Sequence, residues 1–380
     1  MKQLEHCWDL CVWYENVNRH KTCNTINMKS YKNLLLLPLL IGSTAIAKQK
    51  PNIIVLLADD AGYADFGFMG SMDLKTPNID KLAANGVIFT DAHVSATVCG
   101  PSRAGIMTGR YQQRFGFECN PSSDSFGVDL REFMIASAMK QAGYVTAAFG
   151  KWHLGDKPGY RPNERGFDYY WGFLSGSRSY FYDEQNSDKA GDSRAITENR
   201  THVSFEGYLT DRLGEKAVDF IGQNKEKPFF IYWAPNAVHS PMEAKTEDLD
   251  LFEGHPRQKL AAMTWALDRA VGNIVDKLKK EGVLENTLIF FLSDNGGATN
   301  NQSTNFPLKG FKGNKFEGGH RVPFFVSWTA GIKGVLDGLQ TLFFEVFAFV
   351  EKEDPTPENA DHIERLLADI KKNERSTEKN

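Results

Sequence analysis

Pro51-Asn52-Ile53-Ile54-Val55-Leu56-Leu57-Ala58-Asp59-Asp60 is the stretch on which the fold turns. Its apolar run does not alternate, so both faces of the segment are buried, as in a central strand of a parallel sheet. Ligands of such sheets bind beyond the carboxyl ends of the strands, and this strand ends in two carboxylates. Three further segments repeat the arrangement. Residues 144–149 read as a strand running into Gly150-Lys151-Trp152-His153, residues 229–234 lead to His239, and residues 287–293 end in Asp294-Asn295-Gly296-Gly297. Between them lie helical patterns: Thr76-Pro77 opens a helix that Gly86 stops, and residues 129–142, 211–223 and 258–281 have helical spacing. Short strands are expected at 87–90 and 324–328. Strands alternating with helices imply an α/β fold with a mostly parallel central sheet and helices on both faces. Residues 156–206, rich in Gly, Asp, Ser, Arg and aromatics without sustained periodicity, read as loops over the strand ends, where substrate selectivity resides.

The second informative stretch is Cys99-Gly100-Pro101-Ser102-Arg103-Ala104-Gly105-Ile106-Met107-Thr108-Gly109-Arg110. Pro101 suits the first position of a helix, which places Cys99 and Gly100 at an N-terminus where unpaired N–H groups and the dipole favour anions. Arg103 lies one turn along the same face, so its guanidinium can sit beside the cysteine. Taken alone, Cys99 reads as a small buried hydrophobe; in a cationic setting it is a candidate nucleophile. Asp59, Asp60, Asp294 and Asn295 offer hard oxygen ligands suited to Ca²⁺ or Mg²⁺ rather than zinc, although either pair by itself is also ordinary turn chemistry. Lys151 and His153 alternate along an extended segment and can face one side. His239 is of the residue type best suited to proton transfer near neutrality. Lys309 and Lys315 read as solvating a glycine-rich loop, whereas Lys312 stands in a K-x-x-x-x-E-G-G string ending at Gly319.

The C-x-P-S-R string followed by Met107-Thr108-Gly109, together with G-K-W-H-x-G at 150–155 and the Lys312 string, resembles the signatures of the type I sulfatases, formylglycine-dependent arylsulfatases of the alkaline phosphatase superfamily. The resemblance covers about residues 52–328. It implies an alkaline-phosphatase-like sulfatase fold and a sulfuric ester hydrolase. Cys99 would be converted to Cα-formylglycine by a formylglycine-generating or radical maturation enzyme, and its hydrate would attack the sulfur of a sulfate ester. Asp59, Asp60, Asp294, Asn295 and residue 99 would hold the divalent cation, Ca²⁺ with Mg²⁺ as the alternative. Arg103, Lys151 and Lys312 would bind charge on the sulfuryl oxygens, His153 would assist the formylglycine, and His239 would protonate the leaving alcohol. The implied substrate is a sulfated carbohydrate, in the manner of polysaccharide degradation. His320, at a position often aliphatic in the family, is expected to face that substrate. Two rivals remain: a phosphate or phosphonate ester hydrolase of the same superfamily, and a catalytically silent glycan-binding relative.

Composition agrees with a globular protein: 41% of the 380 residues are hydrophobic, 24% are charged, and a net charge of −4 gives no basic excess for nucleic acid. Met28-Lys29-Ser30-Tyr31-Lys32, the apolar run to Ile41 and the Ala45-Ile46-Ala47 site read as a signal peptide at 28–47, cut near Ala47. The run is too short for a stable membrane span, so export to the periplasm or the cell exterior is expected. Residues 1–27 read as an upstream extension that is not native, and 48–333 as the catalytic domain. Three of the five cysteines lie upstream, leaving Cys99 and Cys119, whose pairing in a disulfide is the rival to a free Cys99. Residues 334–380 depart from the family pattern, which implies a shortened C-terminal subdomain; within them, 357–372 reads as an amphipathic helix capped by Thr356.

Overall fold

β1 (Asn52–Ala58) is buried along its whole length, as its apolar run requires. Alternate side chains serve opposite faces: Ile54, Leu56 and Ala58 join one apolar cluster, and Ile53, Val55 and Leu57 the other. In the computed structural model, residues 50–121, 127–329 and 334–335 are described. In chain order β1 is followed by α1 (Pro77–Ala84), β2 (Gly86–Phe89), α2 (Cys99–Thr108), α3 (Ile135–Gln141), β3 (Val145–Lys151), β4 (Tyr169–Phe173), β5 (Thr197–Glu198), β6 (Thr201–His202) and α4 (Leu209–Asn224). Then come β7 (Phe229–Ala234), α5 (Thr246–Asp250), α6 (Gln258–Lys280), β8 (Thr287–Ser293), α7 (Glu317–His320), β9 (Phe324–Ser327) and β10 (Gly334–Val335).

Among the described residues the sheet has ten strands in the order β10-β2-β9-β8-β1-β7-β3-β4-β5-β6. Its centre, β8-β1-β7-β3-β4, is parallel, with Ile54 opposite Ile231 on one side and Ile289 on the other. Antiparallel pairing is confined to β9 against β2 and β8 and to the β4-β5-β6 edge. One cluster is covered by α1, α4 and α6 through Leu82, Leu213, Phe220, Leu267 and Ile274; the other by α2 and α3 through Ile106, Met107, Ile135 and Met139. Each such buried side chain contributes about 1.5–3 kcal/mol relative to exposure. The sheet tolerates no bulk beside β7 at Gly150: φ is +98°, and a Cβ would lie 2.2 Å from the Ala234 carbonyl oxygen.

The expected α/β architecture is present, with local differences. β7 and β8 coincide with the segments read from sequence. The helix expected over 129–142 begins only at Ile135, because the Asp129 side chain accepts from the Arg131 N–H and Met134 is extended. Residues 156–206 are not all loop, since β4 is a buried strand of the main sheet. α2 begins at Cys99, two residues ahead of the Pro101 start expected from sequence. The upstream extension, the signal peptide at 28–47 and the helix at 357–372 lie outside the described residues, and of the C-terminal segment only β10 is described. Among the described residues no helix is long and apolar enough to cross a membrane.

Candidate active site

The carboxyl ends of β1, β3 and β8 converge on the N-terminus of α2. Register brings the pairs together: Ala58 lies opposite Ser293, so Asp59-Asp60 and Asp294-Asn295 leave adjacent strands side by side. The Asp294 N–H donates to the Ala58 carbonyl at 3.0 Å, and the Asp60 N–H donates to Asp294 Oδ1 at 3.2 Å. Asp60 and His153 have φ of +62° and +60°, left-handed values that cost a non-glycine residue about 1–3 kcal/mol and cluster where side-chain aim matters. Asn301 and Ser303 hold the Asp60 carbonyl in place, through Asn301 Nδ2 and Ser303 Oγ, each at 3.1 Å.

Around the buried Cys99 the charges interlock. Its Sγ lies 3.6 Å from Asp59 Oδ1 and 3.8 Å from Asp60 Oδ1, and Lys312 Nζ donates to it at 3.2 Å. Lys151 Nζ donates to both Asp59 oxygens at 2.9 and 2.7 Å. Arg103 spans the floor: Nε and Nη2 reach Asp294 Oδ2 at 2.9 and 2.8 Å, and Nη1 donates to the Lys151 carbonyl at 3.0 Å and to the Tyr232 hydroxyl at 3.3 Å. Asn295 Nδ2 and Lys312 Nζ both bind the Asp60 carboxylate at 2.8 Å. His239 Nε2 stands 3.5 Å from Asp60 Oδ2, with Nδ1 against the Ser240 carbonyl at 2.5 Å. The rim of His153 is closed by Gly176, where a Cβ would meet the ring at 2.5 Å.

Burial and charge set the protonation states. Burial pushes the Cys99 thiol up to about 12, overriding the attraction of Lys151. Burial opposes ionisation of Asp59, yet Lys151, His239 and Arg103 hold it below the ordinary carboxylate range. Asp294 moves the other way, raised by burial and by the adjoining Asp59. His153 is driven well below its usual value by burial and by the cations Lys151, Arg103 and Lys312, so its ring is neutral at pH 7. Lys151 and Lys312 remain cationic, their burial outweighed by Asp59 and by Cys99 with Asp60 respectively.

The candidate catalytic and metal-ligating residues named from sequence, Asp59, Asp60, Cys99, Arg103, Lys151, His153, His239, Asp294, Asn295 and Lys312, therefore lie in this one cluster, whereas His320 does not. Asn295 Oδ1 and His153 Nδ1 are among the buried polar atoms that have no hydrogen-bond partner among the described residues. An orphan amide oxygen beside the carboxylates of Asp59, Asp60 and Asp294 fits a hard divalent cation, and ligand atoms of Asp59, Asp60, Cys99 and His239 lie within 4.8 Å of one another. The arrangement can hold such an ion against an anion whose remaining charge falls on Lys151, Lys312 and Arg103. The Cys99–Cys119 bridge does not form: Cys99 is buried, Cys119 exposed, and both are free. His320 turns toward His93 and Glu317, with its ring centroid 5.1 Å from that of His93.

Sequence reading missed Tyr232, Asn301 and Gly176. Tyr232 lies in a run read only as core, where a buried phenol's need for a partner was the available signal. Nothing local distinguishes Asn301 from its polar neighbours.

Residues 51–350 match the family model described as Sulfatase. The chain is 34% identical over 313 residues to N-acetylgalactosamine-6-sulfatase of Canis lupus familiaris, covering 75% of this chain and 58% of that protein. It is also 34% identical over 322 residues to Arylsulfatase G of Homo sapiens, covering 74% and 60%. The chain thus spans 58% and 60% of these relatives' lengths. Among solved structures it resembles Ps i-CgsB in complex with k-i-k-neocarrahexaose, with a TM-score of 0.74, 41% identity and coverage of 82% of this chain and 74% of that one. PsFucS1 sulfatase from Pseudoalteromonas sp. gives a TM-score of 0.65 at 28% identity, covering 80% and 67%.

Proposed function

The chain belongs to the sulfatase family, and from that premise we propose that it hydrolyses sulfate esters of a carbohydrate, a sulfated polysaccharide or oligosaccharide. The observation that carries this reading is the position of Cys99 at the head of α2, 3.2 Å from the Lys312 ammonium and against the carboxylates of Asp59 and Asp60. A carbohydrate is favoured because the 41%-identical relative is seen with a neocarrahexaose.

Asp59, Asp60, Asp294 and Asn295 would hold Ca²⁺, with Mg²⁺ as the alternative. When bound, that ion supplies Lewis acidity at a sulfuryl oxygen and lowers the pKa of the nucleophilic hydroxyl. Formylglycine at position 99 supplies, as its hydrate, the attacking hydroxyl and a second hydroxyl through which the aldehyde is restored. The protein's own groups do the rest. Lys151 and Lys312 bind the sulfate oxygens, while Arg103 fixes Asp294 and sets the cationic field. His153, neutral and with Nδ1 unpartnered, takes the proton from the hydroxyl at residue 99. His239, at the rim with Nδ1 anchored on Ser240, delivers a proton from Nε2 to the leaving alcohol.

Sulfate release from sulfated glycans, compared with turnover of an aryl sulfate and the matching aryl phosphate, tests the reaction. Glycan desulfation with the aryl phosphate spared is expected; preference for the phosphate, or glycan binding without sulfate release from matured protein, overturns it. The peptide across Cys99 should weigh about 18 Da less than its cysteine form, oxygen replacing sulfur with loss of two hydrogens. We also place the protein outside the cytoplasm after cleavage near Ala47; a mature N-terminus far from Lys48 would refute that.

A further inference from the structure

We propose that His93, Glu317 and His320 form a second metal site, separate from the oxygen-lined pocket at Cys99, which takes a borderline-soft divalent cation such as Zn²⁺. Two segments distant in sequence are fastened there by backbone pairing. His93 pairs with Arg321 in an isolated antiparallel bridge, the Val94 N–H donates to the His320 carbonyl at 2.9 Å, and the Val322 N–H donates to the Ala92 carbonyl at 2.9 Å. Glu317 and His320, three residues apart on α7, face the same way.

The two imidazoles are oriented as metal ligands are. The His93 Nδ1 edge faces Asp91 Oδ1 at 3.9 Å, and His320 Nδ1 donates to the Phe316 carbonyl at 3.2 Å. For His320 the carbonyl acceptor leaves Nε2 to point inward, as an outer carbonyl does for a ligating histidine, whereas His93 holds its Nε2 proton on Glu317 and would give it up to the metal. His93 Nε2 lies 3.0 Å from Glu317 Oε2, and His320 Nε2 lies 3.9 Å from Glu317 Oε1. One ligand atom from each residue can be chosen so that all lie within 4.8 Å. Tetrahedral zinc with bonds near 2.0–2.2 Å separates its ligands by about 3.3 Å, so side-chain adjustment of roughly an ångström completes the shell, with water in the fourth place.

Charge agrees with a cation. Arg321 borders the group, its Nη1 3.2 Å from Asp91 Oδ1 and 3.7 Å from Glu317 Oε2 while Nε is anchored on the Thr90 carbonyl. Glu317 supplies the negative charge that a cation among the three side chains requires. The side chains are 25%, 48% and 29% exposed for His93, Glu317 and His320, which leaves an entry path. Two imidazole nitrogens beside one carboxylate suit a borderline-soft ion, and saturating the Cys99 pocket with Ca²⁺ keeps its own His239 and Cys99 donors out of the comparison.

The test uses the full chain saturated with Ca²⁺. Zn²⁺ is titrated against a chromophoric chelator, and Co²⁺ is added separately to read its visible d–d bands. The wild type should take up Zn²⁺ at a site whose Co²⁺ spectrum reports nitrogen ligation. Replacing an outer hydrogen-bond partner of a ligand typically costs 10–100-fold, so His93→Asn with His320→Asn should weaken Zn²⁺ by more than about 100-fold. Glu317→Gln, which retains both imidazoles, should weaken it less, and if the double variant fails to fold, His320→Asn alone carries the comparison. Equal Zn²⁺ uptake by wild type and histidine variants, or no uptake by the wild type, overturns the site. Neither result bears on sulfate ester hydrolysis, because the readout is metal binding alone.

Discussion

Removing the buried guanidinium at the floor of the site by Arg103→Met is the most direct test of how its charges balance. Arg103 has no solvent access and compensates Asp294 at 2.8 Å and Asp59 at 3.5 Å, both of them also fully buried. Breaking one side of such a pair strands a charge and costs about 3–5 kcal/mol. Orphaning the Lys151 carbonyl and the Tyr232 hydroxyl pushes the loss toward the upper end of that range. For a chain of this size that loss lowers Tm by roughly 4–6 °C. The assay is thermal and urea unfolding in chelator, so that no added cation replaces the missing charge. The loss should depend on pH in a defined direction. Asp294 is already raised by burial and by Asp59, and without Arg103 it rises further. The folded variant then binds a proton that the unfolded chain releases, so its stability falls as pH rises from the ordinary carboxylate value through the raised one. The gap to wild type should therefore be wider at pH 8 than at pH 5. A loss under about 1 kcal/mol at pH 8, or a gap that widens on acidification, would refute the argument.

Lys312→Met removes the ammonium that reaches both Cys99 and Asp60 and should lower kcat about 10²–10³-fold; a fall confined to KM would contradict the role given to it. Gly176→Ala drives a methyl into the His153 ring, and because an ångström of misplacement can cost about 100-fold, kcat should fall by that order with Tm little changed; unaltered turnover would show that the ring does not need its present position. In unmatured protein at pH 8, iodoacetamide should label exposed Cys119 and spare Cys99, whose thiol is buried and held near pKa 12, until denaturant is added; equal rates, read by peptide mass spectrometry, would refute the packing around α2.

What sequence made legible follows from where side chains sit. β1, β7 and β8 are buried on both faces, so their apolar runs mark them, and the polar residues just past them could be assigned to one edge of a parallel sheet. β4 is buried past its first residue but reads Tyr-Tyr-Trp-Gly-Phe amid polar turns, and no period separates it from the aromatic loops nearby. The late start of α3 depends on Asp129 bonding its own neighbour, a choice local propensity does not reveal. Asn301 and Tyr232 act through contacts made across more than a hundred residues, to Asp60 and Arg103, and such pairings exist only once the sheet is assembled.

The lateral order of the sheet also dictates when its parts can join during synthesis. β1 leaves the ribosome early, yet β8, which occupies one whole side of it, begins at Thr287. Until then the hydrogen-bonding flank of the central strand stands open, and an unpaired flank of that kind recruits other chains. Asp59 meanwhile can already meet Lys151, whereas Arg103 waits for Asp294 to arrive. A pause in translation between residues 234 and 287 should therefore promote aggregation more than one placed after 327.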